Sequence, residues 1–442
     1  MKLLSAGHPI NTQMETNSLT HANGNQFLSR GYASSGGIER KMHAPRELQG
    51  RQGRLHYLDW LRVLVVLAVF YAHATDIFNT LSWHIRNGQQ NLGLEALFTF
   101  LSYWGMSLMF LLAGASACFG LRSRTGGQFL SERFKRLVIP FIAGFIILSP
   151  LLAYIEALIH SPYPGSFVQF YPHFFASIQV SWNLESLGGY SYHLWFLAFL
   201  FLISALALPL IMYLRREQSQ QFITRLAALS ARPGGLFVFV LPLALIHIAL
   251  QLPFPGYQNW ANFFAWLVYF LYGYILFSDP RFARAIEKQG KIALLAAIAC
   301  SLILMAWVLT GVLHTLGTTS GYSVDYMLYQ FLYSMTAWSW VVFILFVGMR
   351  FLNASNRVIQ YGNEAVLPFY ILHYPVLIIT TFCVIQLASD TITTFLIVST
   401  ASLIATLTIY ELLIRRMNIM RWLFGMKPRK PVVRKDVERS FS

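Results

Sequence analysis

Residues 57–78 read YLDWLRVLVVLAVFYAHATDIF, an apolar run with Arg62 and His73 in its interior. A run of about 20 apolar residues is long enough to cross a bilayer as a helix. The two side chains are eleven residues apart, which places them within about 20° of one helix face and about 16 Å apart in depth. Because charged and titratable groups in membranes usually face a bundle interior or a cavity, we predict that both belong to one internal site. The alternative is that Arg62 snorkels beside Asp59 and that His73 bonds to a neighbouring helix.

The whole chain has the composition of a polytopic membrane protein. Hydrophobic residues make up 56% and charged residues 12% of its 442 residues, and the mean hydropathy is +0.52. The sequence therefore predicts an all-α, polytopic membrane bundle of about ten transmembrane helices within a domain spanning residues 51–425. The predicted spans are 58–78, 94–119, 137–158, 193–214, 235–252, 259–278, 291–313, 327–349, 365–386 and 391–414.

The basic residues predict that both termini are cytoplasmic. Of the 33 lysines and arginines, 31 lie in the N-terminal arm, in the tail and in alternate connectors, and only Arg86 lies on the opposite side. Cytoplasmic segments carry such an excess of Lys and Arg. The net charge of +15 therefore indicates topology and contact with anionic membrane lipid. It does not indicate a nucleic-acid partner, because no soluble basic domain is present.

The segments that flank the domain, and the cysteines, suggest no chemistry of their own. Residues 1–50 are rich in Ser, Asn and Gly, and we expect a disordered cytoplasmic arm there. Residues 426–442 form a basic cytoplasmic tail. The three cysteines all fall in predicted spans without metal-ligand spacing, so we predict no metal site and no disulfide framework.

A pair of arginines precedes the third span, in the sequence FLSERFKRLVIP of residues 129–140. Arg133 and Arg136 are three residues apart, so a helix places them on one face. Two guanidinium groups offer planar, paired donors to a phosphate or a carboxylate. A cytoplasmic pair at the mouth of a bundle suits a phosphorylated or CoA-like ligand. The alternative is ordinary anchoring by positive charge.

Segment 159–192 differs from the basic connectors, because it contains no Lys or Arg and is rich in Tyr, Phe and Trp. Aromatic faces together with amide and hydroxyl groups are suited to binding carbohydrate. The same residue types also form the aromatic belt at a membrane surface, which is the alternative interpretation. The segment is long for a simple connector.

Five segments in order along residues 51–425 resemble the acyltransferase-3 family of integral membrane acyltransferases. They are the run with Arg62-x10-His73, the segment FLLAGASA at 110–117, the pair Arg133-x-x-Arg136, YHLWFLAFLFL at 192–202 and LPFYILHYPVL at 367–377. This chain has Ala113-Gly114 where the family usually has Ser-Gly, so no role of that serine is carried over. Shorter segments, among them ESLGGYSYHLWFL at 185–197 and SWH at 82–84, look most like the family's glucan-biosynthesis branch. That branch is associated with succinylating periplasmic glucans.

The resemblance implies an O-acyltransferase in the bacterial inner membrane. It would move an acetyl or succinyl group from cytoplasmic acyl-CoA to a hydroxyl of an extracytoplasmic glycan, with no permanently bound cofactor and no metal. Arg133 and Arg136 would hold the CoA phosphates, and Arg62 would line the path of the acyl arm. His73 would act as the general base, since an imidazole with an ordinary pKa near 6.5 is suited to that role at neutral pH.

We also predict acceptor contacts for four further residues: Trp83, His193, Trp195 and His373. Packing near Pro375 is the alternative for His373. We expect Glu364 to pair with Arg133 or Arg136, and a single polar tunnel to join this pair to His73. A multi-pass transporter or flippase for a glycan or an anionic small molecule is the alternative function. The lack of a detectable internal repeat argues against it.

Overall fold

The computed structural model describes residues 55–78, 91–160, 163–179, 184–311, 321–384 and 390–429, which lie in one compact unit. Every regular element within these ranges is a helix, which confirms the all-α prediction. The predicted disordered arm, most of the predicted basic tail and Trp83 lie outside the described residues.

Thirteen helices make up the described chain. They are α1 His56–Asp76, α2 Leu92–Gly120, α3 Gly126–His160, α4 Phe167–Ala176, α5 Leu184–Leu214, α6 Glu217–Ser230, α7 Gly235–Leu250, α8 Trp260–Leu276, α9 Pro280–Leu309, α10 Val324–Phe351, α11 Arg357–Val384, α12 Thr391–Ile414 and α13 Asn418–Leu423.

Each of the ten predicted spans coincides with one of these helices. Eight of them are long and apolar enough to cross a membrane, and α7 and α8 are shorter apolar helices. The polytopic bundle is therefore confirmed, with two short members. Arg62 lies near the start of α1 and His73 lies in its last turn, so we call the two ends of the bundle that they mark the arginine end and the histidine end.

Helix α1 contacts four other helices, α2, α10, α11 and α12. Two glycines allow it to approach its neighbours closely. A Cβ on Gly348 of α10 would meet Leu61 at 2.8 Å, and one on Gly362 of α11 would meet Val63 at 3.0 Å. Because α1 carries both Arg62 and His73, this packing fixes the positions of these two residues relative to α10 and α11.

Helices α2 and α8 touch backbone to backbone. A Cβ on Gly114 would lie 1.8 Å from the carbonyl oxygen of Phe270, and one on Gly273 would lie 1.9 Å from that of Leu111. Small residues at membrane helix interfaces allow this close approach, which brings many van der Waals contacts. Gly114, the glycine of the Ala113-Gly114 pair, is therefore required by the close packing of α2 against α8.

Four helices of the described chain depart from regular α-helical geometry, one of them α7, which begins with a 3₁₀ turn at Gly235–Phe239. A π-helical turn occupies Phe134–Val138 within α3, a 3₁₀ turn occupies Tyr192–Leu194 within α5, and a second π-helical turn, Tyr410–Ile414, ends α12. Such irregular turns are frequent at functional sites. The turn in α3 contains Arg136 and the turn in α5 contains His193, so both irregularities fall on predicted site residues.

The glycine contact gives a prediction for stability. Gly114→Ala should lower the free energy of unfolding by about 1–3 kcal/mol or more, because the added methyl group overlaps the Phe270 carbonyl. Thermal unfolding of the purified protein in detergent measures this. Gly127→Ala is the control, since a Cβ there meets nothing within 4 Å. Equal melting temperatures for the two variants would contradict the close contact.

Candidate functional site

A cavity of about 470 Å³ lies at the arginine end, and we call it the arginine cavity. Helices α1, α2, α3, α5 and α11 form its walls, together with the segment after α13. Seven charged residues line it: Asp59, Arg62, Arg124, Glu132, Arg133, Arg136 and Glu364. The structure therefore brings together the three arginines that the sequence singled out.

Arg62 is held inside the bundle by two partners. Its Nη1 pairs with the Asp59 carboxylate at 2.8 Å, and its Nη2 donates to the Ser116 hydroxyl at 2.8 Å. The Ser116 hydroxyl donates in turn to the Leu112 carbonyl at 2.7 Å. The two interpretations of Arg62 are thus compatible, because it pairs with Asp59 and also lines the cavity. Ser116 was missed by the sequence analysis, although it lies within the quoted segment FLLAGASA.

Arg133 and Arg136 reach the cavity from the start of α3 and its π-helical turn. The Arg133 guanidinium donates to the Ala113 carbonyl at 3.1 Å and lies over the Phe129 ring at 5.1 Å. A single carbonyl and an aromatic face satisfy only part of its five donors. Arg136 lies on the cavity wall with an exposed side chain.

Each of the three carboxylates in the cavity forms an ion pair with an arginine other than Arg133 or Arg136. Asp59 pairs with Arg62, and Glu132 pairs with Arg124 at 2.7 Å. Glu364 pairs with Arg421 at 2.9 Å and with Arg415 at 3.4 Å. The expected pairing of Glu364 with Arg133 or Arg136 is therefore wrong, because two arginines that follow α12 occupy its carboxylate instead.

This pairing leaves a net positive pair of side chains in the cavity. Within the described part of the chain, no carboxylate forms an ion pair with Arg133 or Arg136. Two neighbouring guanidinium groups without a carboxylate, facing a cavity of this size, are suited to binding a multiply charged anion.

The segment after α12 closes one side of the cavity. Buried Arg421 of α13 joins Glu364 to the Lys427 carbonyl, which its Nε reaches at 2.8 Å. Gly425 has a φ of 69°, and a Cβ there would lie 2.8 Å from the Arg136 carbonyl oxygen. Gly425 and Met426 line the cavity directly. Glycine therefore meets both the left-handed backbone and the close approach at this position.

Four residues cluster at the histidine end, and we call them the histidine cluster: His73, His193, His373 and Tyr374. The His73 ring lies 5.5 Å from that of His373 and 4.8 Å from that of Tyr374, between centroids. The His193 ring lies 5.3 Å from His373 and 5.1 Å from Tyr374. All three histidines are residues that the sequence predicted for the site, whereas Tyr374 was not predicted.

A proline explains how His193 is held. Pro375 has no N–H, so the Ile371 carbonyl four residues earlier lacks its helical donor. The Nε2 of His193 lies 2.9 Å from that carbonyl oxygen and donates to it. Pro375 entered the sequence comparison as part of a family segment. The contact with His193 shows what the proline does in the structure, which is to free the Ile371 carbonyl as an acceptor.

Two imidazole nitrogens of the cluster have no hydrogen-bond partner among the described residues. Because carbonyls only accept, His193 carries its proton on Nε2, and His373 carries its proton on Nδ1, which lies 2.6 Å from the Tyr370 carbonyl. The buried Nδ1 of His193 and Nε2 of His373 are left unpaired. In the neutral rings these nitrogens are lone-pair acceptors, so each is suited to a hydroxyl donor.

The two sites are separated in this conformation. The cavity lining on α1 ends at Val66, and one turn further Phe70 is fully buried against the rings of Phe369 and His373. Phe196, which lines the cavity, packs on Tyr370. The cavity does not reach His73, so the expected continuous tunnel is not present, and a layer of aromatic side chains takes its place.

Trp195 lies in an aromatic packing group beside the histidine cluster. It is 7% exposed and stacks on Trp266 with ring centroids 5.0 Å apart. It also packs edge-on against Phe199 and Tyr257. The fourth predicted acceptor contact, Trp83, lies outside the described residues.

The backbone is strained immediately before His193. Tyr192 has a φ of 50° and is the only non-glycine residue with a left-handed φ in the part of the chain that the structure describes. Such a conformation costs about 1–3 kcal/mol and is maintained only by its surroundings. The Tyr192 hydroxyl donates to the Glu156 carboxylate at 2.9 Å. No local sequence pattern marks this strain, because tyrosine does not favour a left-handed conformation.

Comparison with known proteins identifies relatives over most of the chain. A family model described as an acyltransferase domain matches residues 55–411. Glucans biosynthesis protein C of Salmonella typhimurium is 23% identical over 411 residues, which cover 89% of this chain and 97% of that protein. The protein of the same name from Salmonella typhi is 22% identical over 403 residues, which cover 87% and 96%. No solved structure matches the chain significantly.

The closing segment gives a prediction. Arg421→Ala should loosen residues 418–429, because Glu364 loses its closer partner and the Lys427 carbonyl loses its donor. We expect chymotrypsin to cleave near Trp422 and Phe424 at least about tenfold faster, equivalent to about 1.4 kcal/mol. Arg416→Ala, which removes an exposed arginine, is the matched control. Equal cleavage rates in both variants would show that Arg421 does not hold the segment.

Proposed function

Because the chain belongs to the acyltransferase-3 family, we propose that it moves an acyl group from acyl-CoA at the arginine cavity to a glucan hydroxyl at the histidine cluster. The observation that carries this proposal is that Arg133 and Arg136 face the cavity without a carboxylate partner. The chain is a multi-pass membrane acyltransferase. What we propose is the identity of the donor, the identity of the acceptor and the side of the membrane on which each one binds.

Charge and size support CoA as the donor. Its phosphates are multiply charged, and Arg133 and Arg136 offer paired donors to them. A cavity of about 470 Å³ falls in the usual range of small-molecule sites. Arg62 lies deeper along α1, where it lines the path of the acyl arm. The acyl group is acetyl or succinyl.

The charge distribution supports a cytoplasmic arginine end. Basic residues concentrate in the connectors on that side and in both flanking segments, as the positive-inside rule describes. Both termini are then cytoplasmic, and the bundle lies in the bacterial inner membrane. The histidine end faces the opposite compartment, where a periplasmic glucan is available as acceptor.

The chemistry begins at His73. Its imidazole accepts the proton of the acceptor hydroxyl, and the hydroxyl oxygen attacks the thioester carbonyl carbon. A new C–O bond forms, the C–S bond breaks, and the CoA sulfur leaves with the proton returned from His73. Arg133 and Arg136 keep the phosphates at the arginine end, since moving them into hydrocarbon is prohibitively costly.

The acceptor is supported by the relatives and by the chemistry of the cluster. The relatives are named for glucan biosynthesis. The unpaired nitrogens of His193 and His373 accept hydrogen bonds from sugar hydroxyls. Trp195 packs beside the cluster without offering a free face to the acceptor, because its ring is stacked on Trp266. The aromatic layer around Phe70 and Tyr370 opens to admit the acyl arm, and between turnovers it keeps water away from the thioester.

His73→Ala should abolish acyl transfer, because it removes the general base that accepts the proton of the attacking hydroxyl. A general base contributes about 10²- to 10⁴-fold to the rate. Transfer from labelled acyl-CoA to purified glucan, with mass spectrometry of the product, measures this. His173→Ala, an exposed histidine of α4, is the control. Full activity of His73→Ala would remove its assignment as the base.

Arg133→Ala and Arg136→Ala should each weaken acyl-CoA binding by roughly tenfold or more, as loss of a charge-assisted pair of hydrogen bonds implies. Lysine should restore binding only in part, since a point charge does not reproduce the paired donors. Equilibrium binding of acyl-CoA is the measurement. Lys135→Ala is the matched control, because it removes the same charge from the same turn without lining the cavity.

Two results would contradict the donor assignment. If the double alanine variant binds acyl-CoA with unchanged affinity, Arg133 and Arg136 serve only as membrane anchors. A wild-type protein that neither binds acyl-CoA nor transfers from it would contradict the whole proposal and favour transport of a glycan or an anionic small molecule.

A further inference from the structure

The turn that carries His193 is fastened to two other helices by three contacts. The Tyr192 hydroxyl donates to Glu156 of α3 at 2.9 Å. The His193 Nε2 donates to the Ile371 carbonyl of α11 at 2.9 Å. The Tyr370 hydroxyl of α11 donates to the His193 carbonyl. Only the first of these contacts holds the residue whose backbone is strained.

The strain makes this contact necessary for the geometry of the turn. A left-handed φ is unfavourable for tyrosine because its Cβ crowds the following carbonyl. The ring of Tyr192 is 8% exposed and lies 6.5 Å from that of Tyr374. If the hydroxyl were released, the backbone at 192 would return to a negative φ, and the direction in which the chain enters His193 would change.

Resting on the proposed function, we propose that Glu156 is a positioning residue for the acceptor site. Through the Tyr192 hydroxyl, it holds the left-handed backbone that sets the His193 ring against His373 and Tyr374. Glu156 does not itself contact the acceptor in this scheme. Its carboxylate is suited to the role because it only accepts hydrogen bonds, so the Tyr192 hydroxyl must be the donor and its orientation is fixed.

The first test removes the contact from each side in the full-length protein in detergent. Glu156→Ala and Tyr192→Phe should each lower the rate of transfer to glucan by about 10- to 100-fold, as a displaced site residue does. The double variant should show little further loss, because both changes remove one interaction. Acyl-CoA affinity should stay unchanged. Glu156→Gln, which keeps an oxygen acceptor, should retain most activity.

Tyr190→Phe is the matched control. Two residues earlier, it loses a phenol that contacts Ser177 and Gln179 without touching the turn. Its transfer rate should equal that of the wild type. A loss in Tyr190→Phe as large as in Tyr192→Phe would assign the effect to segment 159–192 in general and overturn the proposal.

The second test separates backbone positioning from packing. Glycine adopts a left-handed φ without steric cost, whereas alanine does not. Tyr192→Gly should therefore transfer at least about fivefold faster than Tyr192→Ala, although both lack the ring and the hydroxyl. Equal rates, or a slower glycine variant, would overturn positioning. If the wild type transfers and neither Glu156→Ala nor Tyr192→Phe lowers the rate, the positioning role of Glu156 is overturned. If the wild type does not transfer at all, the proposed function is rejected instead.

Discussion

A guanidinium group within hydrocarbon must find its partners inside the protein, and this requirement organises the bundle around Arg62. The Asp59 carboxylate lies one turn away on the same helix, and the Ser116 hydroxyl reaches across from α2. These contacts direct the charge inward and hold α1 against α2 on the side where a cavity opens. The close approach of α10 and α11 to the other faces of α1 follows from glycines placed opposite Leu61 and Val63.

The resulting molecule keeps two kinds of chemistry apart. Arginine side chains collect at one end, imidazoles collect at the other, and aromatic rings fill the space between them. In the proposed reaction this division keeps phosphates and the acceptor in separate compartments while only the acyl arm crosses.

Much of this arrangement could be predicted from the sequence. The apolar runs predicted all ten helices, because spans are long and their composition differs sharply from that of the connectors. The spacing of Arg62 and His73 predicted that α1 would carry both parts of a site. Glu364 was assigned the wrong partner, because its ion pairs depend on how α13 folds back under the bundle. The strain at Tyr192 was not predictable either, since only contacts with Glu156 and neighbouring helices hold it.

The tunnel illustrates a different limit of sequence reasoning. Helical periodicity places Arg62 and His73 near one face, but it does not show which rings fill the interval. Phe70, Val66 and Phe196 read simply as apolar residues of their spans. Their packing depends on how α5 and α11 meet α1, which is set by the tertiary structure. The polar ends were therefore predictable, whereas the layer between them was not.

The short helices α7 and α8 have a consequence for the surrounding lipid. The 17 residues of α8 rise about 26 Å, less than the roughly 30 Å of an average hydrocarbon core. Such hydrophobic mismatch is relieved by local thinning of the bilayer or by snorkelling of flanking side chains. The stack of Trp266 on Trp195 joins α8 to the residue two positions after His193. A mismatch between α8 and the bilayer would therefore act on the bundle next to the histidine cluster.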